Sequence, residues 1–120
     1  MSYISKTMIK SALTRMKQFE SDLASVHSKY GYNLRKNLGR RNALVSQSQE
    51  KEVASALRTV YKDVVEDGTP GKPDILIVDL GRELECKLTS GHGKSKTMSL
   101  QTDYETLRKK GSLDYLYIIT

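Results

Sequence analysis

Two carboxylates and a lysine recur at spacings that gather them on one face of a β-hairpin. The order is Pro73-Asp74, the mostly apolar run Ile75 to Leu80, Gly81-Arg82, then Glu83-Leu84-Glu85-Cys86-Lys87-Leu88. Two extended runs on either side of a glycine predict antiparallel strands joined by a tight turn. A turn centred on Leu80-Gly81 sets Asp74 opposite Lys87 and Leu76 opposite Glu85. Side chains alternate along a strand, so Asp74, Glu85 and Lys87 share one face, and Ile75, Ile77, Leu84, Cys86 and Leu88 form a core-facing stripe on the other. A slip of one residue would bury the charges and expose the stripe, so parity is strongly specified.

Those residue types suit the hydrolysis of a phosphodiester. The reaction needs a hard cation to activate water and to neutralise charge on the phosphate. Carboxylate oxygens are natural ligands for Mg²⁺, which keeps several of its own waters. Asp74 and Glu85 are therefore candidate ligands for Mg²⁺ (or Mn²⁺), and the Cys86 backbone carbonyl between Glu85 and Lys87 offers another oxygen. Lys87, a compact point charge, can orient the attacking water or stabilise the crowded phosphate. A Glu-x-Lys triplet alone is common on exposed hairpins. The Pro-Asp that opens the preceding strand makes the set far more specific.

On Pro73-Asp74 and Glu85-Cys86-Lys87 the chain resembles the PD-(D/E)XK nuclease superfamily. The stretch Gly71-Lys-Pro-Asp-Ile-Leu-Ile-Val, then Glu-Cys-Lys-Leu, Gln101 and Gly111, is most similar to the virus-type replication-repair nucleases and archaeal Holliday junction resolvases. The resemblance covers roughly residues 48–120. It implies an α/β fold with a restriction-endonuclease-like αβββαβ core and a mixed central sheet, divalent-metal catalysis, and DNA as substrate. It also implies roles for Glu50, on the first helix of that core, and for Gln101, near the metal-bound phosphate.

The elements that must position these residues can be sought independently. Ser46 and Ser48 are candidate caps for a helix beginning at Gln49, whose apolar positions Val53, Ala54, Leu57, Val60, Tyr61 and Val64 follow helical spacing. Glu50 falls on the buried face of that helix and Glu52 on its solvated face. A half-buried acid is costly unless paired or metal-bound; equally, an acid in a first turn complements the helix dipole. Asp63 to Thr69 is a weak first strand. Thr89 to Ser99, rich in Gly, Ser and Lys, reads as a loop bordering the site, with Lys94 and Lys96 as candidate phosphate contacts and His92 as a loop residue. A helix over 100–110, closed by Gly111, and a strand over 113–119 complete a right-handed parallel unit.

Residues 1–47 are an extension to the 48–120 nuclease core. Ile9, Ala12, Met16, Phe19, Leu23, Val26 and Tyr30 alternate spacings of three and four, predicting an amphipathic helix over about 5–29. Its apolar stripe packs on its own domain or forms the seam of a homodimer, and both readings stand. Residues 1–48 hold nine Lys or Arg against two acids, while the remainder holds eleven against twelve, so the whole +6 excess lies upstream of the motif. The run Asn33 to Asn42 is expected to be a basic loop, with Arg35, Lys36, Arg40 and Arg41 as phosphate contacts and Tyr30 and Tyr32 as stacking or packing groups.

No apolar run approaches membrane-spanning length and no secretory signal is visible. Cys86 is the single cysteine, which fits a reducing cytoplasm and a packing role. The expectation is one soluble domain acting as a Mg²⁺-dependent, structure-selective DNA endonuclease of resolvase or repair type. A sequence-specific restriction-type enzyme and a nucleic-acid-binding module without cleavage are the alternatives.

Overall fold

A computed structural model describes residues 3–89 and 114–119. The expectations for His92, Lys94, Lys96, Gln101 and a helix over 100–110 lie outside the described residues. The element order is α1 (Lys6–Lys29), α2 (Leu38–Leu57), β1 (Val64–Glu66), β2 (Ile75–Ile77), β3 (Arg82–Thr89) and β4 (Asp114–Ile119). The strands form one mixed sheet in the order β1-β2-β3-β4, with β1, β2 and β3 successively antiparallel and β4 parallel to β3. A parallel pair requires a crossover of a dozen or more residues, and the interval between Thr89 and Asp114 supplies that length.

Helix α1 starts where Ser5 accepts the Met8 N–H at 3.2 Å. Its inward stripe is Met8, Ala12 and Met16. The expected stripe extended to Val26 and Tyr30, but these are 54% and 67% exposed. Only the first half of α1 meets the core.

Helix α2 begins at Leu38, eleven residues earlier than the serines suggested. Asn37 is the cap, its side chain accepting the Arg40 N–H at 3.0 Å. Ser46 and Ser48 instead turn their hydroxyls back onto the carbonyls of Ala43 and Val45, at 2.9 and 2.6 Å, as mid-helix serines do. A division at 47/48 therefore falls inside one continuous helix. The basic run is not a loop either: Leu34–Lys36 is a turn of 3₁₀-helix with Leu34 buried, and α2 follows at once. At the other end α2 stops at Leu57, so Val60 is exposed and not part of its apolar face. Glu52 is not solvated: it is largely covered and lies 3.7 Å from Arg15 of α1.

The hairpin keeps the expected parity but shifts register by two residues. Ile75 pairs with Leu84 and Ile77 with Arg82, which puts Leu76 opposite Glu83. The cause is the connection. Val78–Leu80 forms a 3₁₀ turn closed by Gly81 at φ 60°, a left-handed conformation that favours glycine. Asp79 anchors that turn by accepting the backbone N–H groups of Lys62 and Asp63 at 2.9 and 2.8 Å. An even shift leaves every side chain on its face. Ile75, Ile77 and Leu84 are fully buried, with Cys86 nearly so, against Val53, Ala54 and Leu57 of α2 and Met8 and Ala12 of α1. A second cluster joins Met16, Val45 and Ile118. Among the described residues no helix is long and apolar enough to cross a membrane.

Candidate active site

The register determines what meets at the motif. Continued by one residue, it places Asp74 opposite Glu85, and Asp74 Oδ2 accepts the Cys86 N–H at 2.9 Å. That bond locks the carboxylate across the strand pair. Lys87 lies two residues beyond Glu85 on the same face of β3, near enough for its charge to favour ionised Glu85. Glu50 approaches from α2. The three acids and Lys87 line a cleft of about 360 Å³, with Ser46 and Asn42 one and two turns up the same face of α2.

The acids are close enough to disturb one another. Burial first, then the charge of Asp74 and a hydrogen bond to it, raise the Glu50 carboxyl to about 7. Glu85 is also raised, by burial and by Asp74, against the opposing pull of Lys87. Repulsion of this kind is what a divalent cation relieves. Among the described residues, however, no group of three or more His, Cys, Asp or Glu side chains is arranged to hold a metal ion. Two carboxylates on paired strands with a third acid beside them suit a cation that retains waters, such as Mg²⁺, and not a fully protein-ligated ion. Asp74 and Glu85 would hold it. The Cys86 thiol is buried and pushed upward in pKa by that burial and by the acids, which keeps it a neutral packing group.

Of the expected phosphate contacts, Arg35, Lys36 and Arg40 are exposed near the start of α2. Arg41 is not available for that role. It is buried and forks onto Glu20, with its Nε and Nη2 donating to the two carboxylate oxygens at 3.0 and 2.7 Å. Its position one turn into a helix, facing α1, removes it from solvent.

Sequence reasoning missed several neighbours of the site. Parallel pairing sets Tyr115 beside Glu85 and Tyr117 beside Lys87, with the two rings stacked at 5.9 Å between centroids. Their alternation along β4 was legible, but their partners depend on the register of a crossover. Asn42 and Ser46 stand eight and four residues before Glu50, and that spacing would have flagged them had α2 been started at Asn37. Gln49 is fully buried and donates to the Leu116 carbonyl at 3.2 Å, tying α2 to β4 beside the cleft. Compared with protein-family models, with curated proteins and with solved structures, the chain matches none.

Proposed function

We propose that the chain is a Mg²⁺-dependent DNA endonuclease of the PD-(D/E)XK kind, structure-selective in its choice of substrate. The observation that carries this reading is one cleft, lined by Glu50, Asp74, Glu85 and Lys87, in which burial and the charge of Asp74 raise the proton affinity of Glu50 and Glu85. Ordinary surface carboxylates spread apart; these are held together by a strand pair, a helix and the Cys86 N–H. The element order supports it too: a helix, three antiparallel strands and a last strand parallel to the third are the members of an αβββαβ core that fall among the described residues.

Bound between Asp74 and Glu85, Mg²⁺ would supply an activated water and neutralise phosphate charge. The residues of the chain do the rest. Asp74 is oriented by its hydrogen bond to Cys86. Lys87 meets the negative charge that builds on the phosphate. Glu50 can accept a proton near neutral pH, as a base working there must. Cutting both strands of a duplex needs two such sites, so a homodimer is the working assembly.

The test is cleavage of branched, linear duplex and single-stranded DNA with and without Mg²⁺, by wild type and by Asp74→Ala and Glu85→Ala. The expected result is metal-dependent cutting, fastest on branched DNA, abolished in both variants while DNA binding persists or tightens as phosphate repulsion is relieved. Wild-type rates from either variant would overturn the assignment. Binding without cleavage under every metal condition would make the chain a binding module.

A further inference from the structure

We propose that the corner where α1 meets α2 binds unpaired bases, so that the nucleic acid engaged carries a single-stranded segment. The inference builds on the nuclease reading, which supplies the polyanion; the corner supplies which form of it.

Three observations converge. Tyr30 and Tyr32 are each 67% exposed and belong to neither core cluster, so two large rings are kept at the surface. Their backbone is hydrogen-bonded into the end of α1. Gly31, at φ 84°, closes α1, with the Tyr32 N–H on the His27 carbonyl at 2.7 Å and the Gly31 N–H on the Ser28 carbonyl at 3.0 Å. The His27 ring stands T-shaped to Tyr32 at 6.2 Å and is itself pinned by Nδ1 lying 2.8 Å from the Leu23 carbonyl. A pre-set aromatic ring loses little entropy when a base stacks on it.

The charge around the rings is one-sided. Residues 23–49 contain five Lys or Arg and no Asp or Glu. Arg41 is taken by Glu20. Arg35 also lies 3.6 Å from Glu20 but keeps its side chain 73% exposed, Lys36 and Arg40 are exposed, and the Lys29 ammonium sits 5.8 Å from the Tyr30 ring centroid. Basic side chains interleaved with exposed aromatic rings are the makings of a sequence-tolerant single-strand site. Inside a duplex every base face is already stacked on its neighbour, so the rings add little there. The corner lies at the N-terminal end of α2, the helix that also carries Glu50. From Leu38 to Glu50 along α2 is roughly 18 Å at the helical rise, or about five nucleotide steps at the per-strand spacing of B-DNA. A strand anchored at the corner would need about that length to span the distance to Glu50.

The experiment measures binding by the full chain, in EDTA, to oligothymidylate, to a blunt duplex and to a forked duplex of matched length. It compares wild type with Tyr30→Ala/Tyr32→Ala and Tyr30→Phe/Tyr32→Phe, after thermal melts establish that each variant is folded. The alanine pair is expected to lose at least tenfold in affinity for oligothymidylate and the fork, and less than twofold for blunt duplex. The phenylalanine pair, which keeps the stacking faces, retains wild-type affinity. Equal losses on all three DNAs, no loss on any, or a change in sedimenting mass that reveals a self-association surface would each overturn the proposal. The assay needs no cleavage. If cutting is absent but this pattern holds, the nuclease reading falls and the single-strand site stands; the converse outcome is equally readable.

Discussion

At the scale of single residues, two acids carry opposite instructions. Glu20 is held below the usual carboxylate range, chiefly by the hydrogen bonds from Arg41, with burial opposing. A depressed folded pKa means its stabilisation is full above the ordinary value of 4.5 and is lost as pH falls through the lower folded value. Glu20→Gln is expected to cost about 3 kcal/mol near neutral pH by stranding the buried Arg41 charge, and to remove that acid-side slope. Melts across acidic pH measure both. Glu50 runs the other way. Its folded pKa, raised to about 7, makes the metal-free protein less stable as pH rises from 4.5 through 7. Glu50→Gln should therefore gain about 1 to 2 kcal/mol above pH 7 in EDTA, after discounting for solvent screening, with the gain gone below the ordinary carboxylate value. Denaturant titrations at the two pH extremes check this. A constant difference at all pH values would mean that Glu50 is not held among like charges.

Individual elements explain what the sequence could and could not reveal. Which side chains share a face of the hairpin was legible, because the alternation of Ile75, Ile77, Leu84 and Cys86 with Asp74, Glu85 and Lys87 survives any even shift. Register was not, because the turn length depends on Asp79 reaching back to Lys62 and Asp63, a contact with no local signature. The start of α2 was missed for a similar reason. Asn37 and the two serines are all good caps, and what decides among them is the burial of Arg41 and Val45 against α1. The turn offers a direct test. Nothing lies within 4 Å of a methyl group placed on Gly81, so its left-handed φ is the only obstacle to a side chain. Gly81→Ala should cost about 1 kcal/mol and leave the acids on their face. Equilibrium unfolding measures the first, and unchanged Mg²⁺ dependence of cleavage the second.

For the whole molecule, charge and topology divide the labour. Residues 49–120 carry no net positive charge, so on the proposed nuclease reading approach to a polyanion would fall to the first 48 residues. Neutralising Lys36 and Arg40 should each flatten the log-log salt dependence of binding by roughly 0.9. Arg41→Ala should instead lower the melting temperature and leave the slope unchanged. Isotherms at several salt concentrations, set beside melts, separate the two.

The bond from the Tyr3 hydroxyl to Asp114, at 2.7 Å, joins residues 111 positions apart, and Arg82 leans on the same carboxylate at 3.5 Å. Contacts so distant along the chain form only after a long search. β4 also supplies the Leu116 carbonyl that holds Gln49 beside Glu50. During synthesis, the helices and the β1–β3 meander can be complete while this clasp is still open. The helix wall of the acidic cleft, tied to β4 through Gln49, would then be fixed in place only late, after the strands that carry Asp74 and Glu85.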